Sequence, residues 1–299
     1  MESVLAWLLL FGLMGVGVFV AAIHFGFRAP RLPNRQTPED WGLRYQGLAL
    51  PSEQGGQLAA WFVPGRAQCK TTVVLLHGWG ANKGLMMPLV PPFHALGMHV
   101  LLVDAHNHGD SAKRGVSTMP KFAQDLASAV HWLKAQSPEQ AQSVVVLGHS
   151  VGAAATLLAA SRGLAVDGVI SLASFAHPRW MMRRQLRRVQ WVPGLVGLIT
   201  RYVQWVIGHR LAAIAPIETV KRIDCPVLLM HGDQDQVIPT SDHQALCLAC
   251  QNQPNAHCVT VPDADHASIE KIQTHFDAIE RFLITALPTH DGAVRAKRD

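Results

Sequence analysis

Apolar runs alternating with amphipathic stretches predict an α/β fold built on a mostly parallel, doubly wound sheet. Three observations carry that prediction. Short apolar segments recur at regular intervals from about residue 43 to 287, an arginine-rich stretch at about 175–215 interrupts them, and residues 4–23 form an uncharged apolar run ahead of them. The expected organisation is a transmembrane anchor at 1–24, a linker at 25–42, one α/β domain at 43–287 with an inserted helical cap, and a disordered tail at 288–299.

Each element has its own signal. Residues 43–50 and 57–63 read as a strand pair turned at Gly55-Gly56. The runs 71–76 and 98–104 are short and apolar, as strands buried on both faces are, and 84–96 between them suits a helix. Residues 119–135 place Phe122, Leu126, Val130 and Leu133 on one helical side. Strand 143–148, a helix from about 151, and strand 166–173 complete the first part. Beyond the cap come strand 226–232, helix 240–251, strand 257–262 and helix 268–286.

The 299 residues carry a formal charge of +5, unevenly placed. Seven arginines (179, 183, 184, 187, 188, 201 and 210) lie between Ser174 and Ile217, where there is no acid; the remaining 19 basic and 21 acidic residues nearly cancel. A nucleic-acid binder would be expected to place its basic surface on a recognisable motif, so that class is set aside. The five cysteines are odd in number and the domain is large, so no disulfide framework is implied. Cys247 and Cys250 form a lone CxxC without a second ligand pair; they read as two small apolar side chains on one helix face, in a reducing compartment.

The uncharged run Val4–Ile23 has 20 residues, enough to span a bilayer as a helix. A cleavable signal peptide is the alternative, but no Lys or Arg precedes the run, and it is longer than a usual signal core. Arg28, Arg31 and Arg35 follow it, which places the large domain on the cytoplasmic side of a single-pass membrane protein. Pro30, Pro33 and Pro38 make the next stretch an extended linker.

Gly148-His149-Ser150-Val151-Gly152 stands between an apolar strand and an Ala-rich helix. G-x-S-x-G in that position is a nucleophile elbow. A sharp turn lifts the serine hydroxyl above the sheet, and Gly148 and Gly152 let neighbouring backbone close in. With this motif the region 43–287 resembles the α/β-hydrolase superfamily, especially its serine-aminopeptidase-like and lysophospholipase-like members. The resemblance rests on four segments in order: His77-Gly78-Trp79-Gly80, Asp104–Ser111 (DAHNHGDS), Gly148–Gly152, and His231–Pro239 (HGDQDQVIP). The second departs from the family pattern at His106, where Arg is usual, and at Asn107, where Gly is usual. Asn tolerates left-handed backbone angles, so the turn can be kept.

The resemblance implies an α/β-hydrolase fold and a triad of Ser150, Asp235 (rather than Asp233) and His266, which follows the last strand. It further implies an oxyanion hole from the backbone N–H groups of Trp79 and Val151, braced by His77, Gly78 and Gly80. Ser150 would attack an acyl ester or thioester and form an acyl-enzyme, with no cofactor and no metal. Acyl transfer or peptide cleavage on the same triad, or a non-catalytic binding role, are the alternatives. A dehalogenase would carry Asp at position 150. His149 is expected to support its loop, and His231 to be packed or surface-facing.

His106-Asn107-His108-Gly109-Asp110 also matches the HxHxD of two-metal hydrolases, but Ser111 replaces the next expected histidine and no further ligand set stands out; a loop that shapes the site is the preferred reading. In the cap, arginines cluster on one side of 179–190, and Gly197, Thr200, Arg201 and Gln204 form a polar stripe on an apolar helix at 195–207. One reading has the arginines solvated over an apolar cap face. The other joins cap and anchor at an anionic membrane surface and expects a small-molecule substrate with an acyl chain, such as a lipid.

Overall fold

A computed structural model describes residues 2–26 and 28–287. The expected tail at 288–299 lies outside the described residues. Eight strands form one sheet: β1 (Gln46–Pro51), β2 (Gln57–Val63), β3 (Thr71–Leu76), β4 (His99–Val103), β5 (Ser143–His149), β6 (Gly168–Leu172), β7 (Val227–Gly232) and β8 (Ala256–Val261). Their order is β1-β2-β4-β3-β5-β6-β7-β8. The pairs β1/β2 and β2/β4 are antiparallel; from β4 onward the neighbours are parallel. The predicted α/β class is therefore observed.

The helices are α1 (Glu2–Gly26), α2 (Val90–Ala95), α3 (Met119–Gln136), α4 (Val151–Ser161), α5 (Pro178–Gln185), α6 (Leu195–Ile207), α7 (Pro216–Thr219), α8 (Thr240–Ala249), α9 (Ile269–Thr274) and α10 (Phe276–Ala286). Thr118 caps α3 by accepting from the Lys121 amide, with Pro120 in the first turn, where its missing N–H costs nothing. The stretch expected as one helix at 84–96 is a 3-10 helix, Lys83–Leu89, followed by α2. Pro88, Pro91 and Pro92 explain the division, because each removes a helical donor. The helix expected at 268–286 is likewise split between α9 and α10 at His275.

Side chains alternate across the sheet into two cores. From β3, Val74 and Leu76 join α3 and α4, while Val73 and Leu75 join the layer that holds Phe93, Phe276 and Phe282. With β3 fully buried, both faces must be covered, which explains its unbroken apolar sequence.

Among the described residues no helix is long and apolar enough to cross a membrane. The expectation of a transmembrane anchor at 1–24 is therefore not supported, and parts of that segment (residue 1 and the side chains of 2–5, 8 and 9) lie outside the described residues. What is seen is a helix whose C-terminal end docks on the domain. Ile23 enters the core, Phe19 packs edge-on to Tyr202 of α6 at 6.3 Å, and His24 Nε2 meets the Tyr202 hydroxyl at 2.9 Å.

The segment expected as a free linker is docked as well. Arg31 donates to the carbonyls of Gly109 and Ser111, at 2.7 and 2.8 Å, and Asn82 Nδ2 donates to the Leu32 and Pro33 carbonyls. Prolines 30 and 33 supply no N–H, so side chains from the domain bond the strap through its carbonyls instead.

A second correction concerns the cysteines. Cys247 on α8 and Cys258 on β8 form a disulfide, their Cα atoms 6.1 Å apart. The expectation of two apolar thiols on one helix face overlooked the neighbouring edge strand, which brings Cys258 within bridging distance. Cys250 stays a buried free thiol.

Candidate active site

The end of β5 sets the position of Ser150. Its φ of 56° and ψ of −115° place it in a conformation that L residues rarely adopt. That turn exists only because its flanks are bare. A Cβ on Gly148 would strike the Gly152 carbonyl, and one on Gly152 would strike the His77 carbonyl. Gly78 brings the turn after β3 alongside, where a Cβ would lie 3.1 Å from the Ser150 Cβ. Ser150 is 8% exposed.

The loop after β8 delivers His266. Its Nε2 stands 3.0 Å from Ser150 Oγ, and its Nδ1 stands 2.7 Å from Asp235 Oδ2. Asp235 comes from the loop after β7 and is buried; its Oδ1 accepts from the amides of Val237 and Ile238 at 2.9 and 2.8 Å. Burial alone would raise the Asp235 carboxyl pKa. The His266 hydrogen bond, the Ile238 amide and the nearby imidazoles outweigh it and hold the group below the usual carboxylate value. Asp233, the alternative acid, shows no such contact with His266.

The two amides expected to form an oxyanion hole belong to Trp79, in the turn after β3, and Val151, the first residue of α4. Among the described residues neither N–H has a hydrogen-bond partner. The Trp79 ring is stacked on Phe122, with centroids 6.3 Å apart. Gly80, at φ 70°, completes the turn, with Pro30 of the strap against it.

The surrounding histidines divide by contact. His77 is fully buried; its Nε2 accepts from the Ala105 amide at 3.0 Å, so Nδ1 carries the proton and donates to the Gly78 carbonyl at 2.7 Å. Burial pushes its pKa down to about 4. His149 Nε2 donates to the carbonyl of His266 at 2.8 Å and so holds the loop that bears it; burial again lowers the pKa to about 4. His231 is packed beneath Asp235, its Nε2 donating to the Ile238 carbonyl at 2.8 Å.

The HxHxD residues go to separate tasks. His106 Nδ1 meets Asp125 Oδ1 at 2.6 Å, and its Nε2 donates to the Gly55 carbonyl at 3.0 Å. The Asp125 hydrogen bond, acting against desolvation, raises the His106 pKa. His108 Nδ1 donates to the His106 carbonyl, and its ring packs against His77, Trp79 and Phe122. Asn107 takes the left-handed turn at φ 66°. Asp110 joins Asp104 on Lys83, whose Nζ lies 2.7 and 2.6 Å from the two carboxylates and 4.4 Å from the Trp61 ring centroid.

That Lys83 network, with Asn34 of the strap donating to both carboxylates, had no reading in the sequence. Burial of a lysine leaves no pattern; only its place right after the HGWG turn pointed to the loop.

The strand order, with a sharp turn after β5 and loops after β7 and β8 that meet it, is that of the α/β-hydrolase fold. A family model described as serine aminopeptidase, S33, matches residues 67–204. The uncharacterized protein YfhR of Salmonella typhimurium is 24% identical over 266 residues, covering 81% of this chain and 82% of that protein. Among solved structures, the Pyrococcus furiosus esterase Pf2001 is 20% identical with a TM-score of 0.71, covering 87% of this chain and 99% of that one. Est1E from Butyrivibrio proteoclasticus, solved with ferulic acid bound, is 20% identical with a TM-score of 0.63, covering 80% and 98%. Both structural likenesses are likenesses of fold. The chain has the α/β-hydrolase fold.

Proposed function

We propose that this protein is a serine hydrolase that cleaves an acyl ester or thioester through an acyl-enzyme on Ser150. The observation that carries the reading is the His266 bridge, 3.0 Å from Ser150 Oγ on one nitrogen and 2.7 Å from Asp235 on the other. The two unpartnered amides beside the serine support it.

The chemistry follows from those contacts. Ser150 Oγ bonds to the carbonyl carbon as its proton moves to His266 Nε2. Asp235 keeps the Nδ1–H tautomer and stabilises the imidazolium. The carbonyl oxygen, now negative, takes the N–H groups of Trp79 and Val151; each such donor is worth about 100–1000-fold in rate. The leaving alkoxide or thiolate carries away the His266 proton. Water then repeats the sequence on the acyl carbon and frees Ser150.

The substrate class is read from the cap. Trp191, Leu198 and Trp205 stand exposed on it, and the exposed apolar side of α1 lies beside it. These favour a substrate with an acyl chain over a small polar ester. A peptidase reading has one observation in its favour, the serine-aminopeptidase family model.

Steady-state hydrolysis of p-nitrophenyl esters from acetate to laurate, beside an aminoacyl p-nitroanilide, separates them. Ester turnover rising with chain length supports the proposal. Turnover of the anilide alone would move the reading to a peptidase, and turnover surviving in Ser150→Ala would remove Ser150 from it.

A further inference from the structure

The cap holds a second site, apart from the residues around Ser150. Helices α5 and α6 enclose a cleft of about 570 Å³ lined by Arg179, Arg183, Gln190, Thr200, Arg201 and Gln204. Arg179 and Arg183 are one turn apart and share a face of α5; Thr200, Arg201 and Gln204 form the facing stripe of α6.

Three positive groups thus face one space, and among the described residues no acid pairs with them. No acid occurs between Ser174 and Ile217. Among the described residues none of the three guanidinium groups has an ion-pair partner. Asp242, which reaches the cap, is spent. It accepts both Nη atoms of Arg184, at 2.8 and 2.9 Å, and the Ala176 amide at 2.9 Å. That clamp removes Arg184 from the solvated arginines expected in the cap, and it fixes α5 on the domain so that Arg179 and Arg183 are left to the cleft.

The polar atoms that remain are mostly donors. The guanidinium groups only donate, and Gln204 spends its oxygen on the Leu211 amide, which leaves its Nε2 protons free; Thr200 and Gln190 give protons to the Val196 and Arg183 carbonyls and keep their oxygens as acceptors. A cleft of like charges and spare N–H groups is complementary to a compact multi-oxygen anion, and guanidinium groups match phosphate by paired hydrogen bonds. On the same turns of α6, Leu198, Arg201 and Trp205 follow one another at helical spacing, with Leu198 54% and Trp205 76% exposed. Exposed apolar side chains of α6 thus flank the cationic cleft.

We propose that the cap cleft is a phosphate subsite, in which Arg179, Arg183 and Arg201 take the anionic oxygens of a phosphate monoester or diester and Gln204 donates a further hydrogen bond. The phosphate comes either from a lipid headgroup, with the flanking apolar side chains against its acyl chains, or from a soluble phosphorylated ligand. The assignment does not rest on the Ser150 reading.

The test compares two variants of the full chain that each lose three positive charges from the cap: Arg179→Gln/Arg183→Gln/Arg201→Gln, in the cleft, and Arg187→Gln/Arg188→Gln/Arg210→Gln, outside it. Ser150→Ala serves as a third chain. Each is sedimented with vesicles of phosphatidylglycerol in phosphatidylcholine, and with phosphatidylcholine alone, and each is titrated with inorganic phosphate by tryptophan fluorescence. The cleft variant is expected to lose about tenfold or more of the anion-dependent binding, while the matched variant loses less than about threefold. Ser150→Ala binds as the wild type does, so a failed hydrolase reading leaves the result intact. Binding that is confined to anionic vesicles assigns the headgroup; saturable binding of inorganic phosphate without vesicle preference assigns the soluble source. Equal loss in the two triple variants, or no anion-dependent binding to either probe, overturns the subsite.

Discussion

Two His–Asp pairs, each with a buried carboxylate, stand near the C-terminal edge of the sheet, alike in contact and opposite in consequence. His266 lies 2.7 Å from Asp235 and His106 lies 2.6 Å from Asp125. The difference is on the far nitrogen. His266 Nε2 faces a hydroxyl that can give or receive a proton, whereas His106 Nε2 faces the Gly55 carbonyl, which can only accept. The second histidine is favoured with both nitrogens protonated, as its raised pKa agrees. Identity of the pair therefore decides little; the third partner separates a candidate base from an internal salt bridge.

The comparison breaks first at the rate. Ser150→Ala or His266→Ala should lower kcat by about 10⁴–10⁶-fold, and Asp235→Asn by about 10⁴-fold, while far-ultraviolet dichroism stays that of the wild type. His106→Ala should do the reverse. It leaves the Asp125 carboxylate buried without its partner, at a cost of about 3–5 kcal/mol in urea unfolding, with kcat within about threefold. A large loss of kcat in a folded His106→Ala protein would merge the two pairs into one site.

Smaller effects sharpen the contrast. Cys258→Ser removes a crosslink spanning 11 residues and should lower stability by at most about 3 kcal/mol, read as an unfolding midpoint that falls to that of the reduced wild type.

The pH dependence runs in two directions. The folded pKa of His106 lies above its unfolded value, so its stabilisation is complete below about pH 6.5 and is lost as pH rises through the folded pKa. His77 and His149, pushed down to about 4, act in the other sense: the unfolded chain takes up protons first as pH falls from about 6.5, so stability declines toward pH 4. Unfolding free energy measured from pH 4 to 9 should show both limbs. In His106→Gln the alkaline limb should flatten and the acid limb remain.

What was legible in the sequence was local. The elbow, the HGWG turn, the acid loop and Asp265-His266 each sit at a strand end within a few residues of a strong apolar run, so their order and spacing placed them. Asn107 could be expected in a left-handed turn because its side chain tolerates it. What was not legible depended on pairs distant in the chain. Asp125 as the partner of His106, Asp242 as the clamp on Arg184, and Asn34 reaching the Lys83 carboxylates join segments with no shared pattern. The Cys247–Cys258 crosslink belongs with these, since CxxC drew attention to Cys250 while the sheet brought up Cys258. The apolar run at 4–23 was read by its length, its lack of charge and its flanking arginines, and these did not tell that Phe19, Ile23 and His24 would meet the domain.

The central claim is that His266 and Asp235 make Ser150 a nucleophile. Intact-mass analysis of the full chain after brief exposure to a fluorophosphonate tests it most directly, with Ser150→Ala and His266→Ala treated in parallel. The account predicts one phosphonyl adduct on the wild type, mapped by peptide digestion to Ser150, none on Ser150→Ala and a strongly slowed reaction on His266→Ala. An unlabelled wild type, or an adduct that persists in Ser150→Ala, would contradict it.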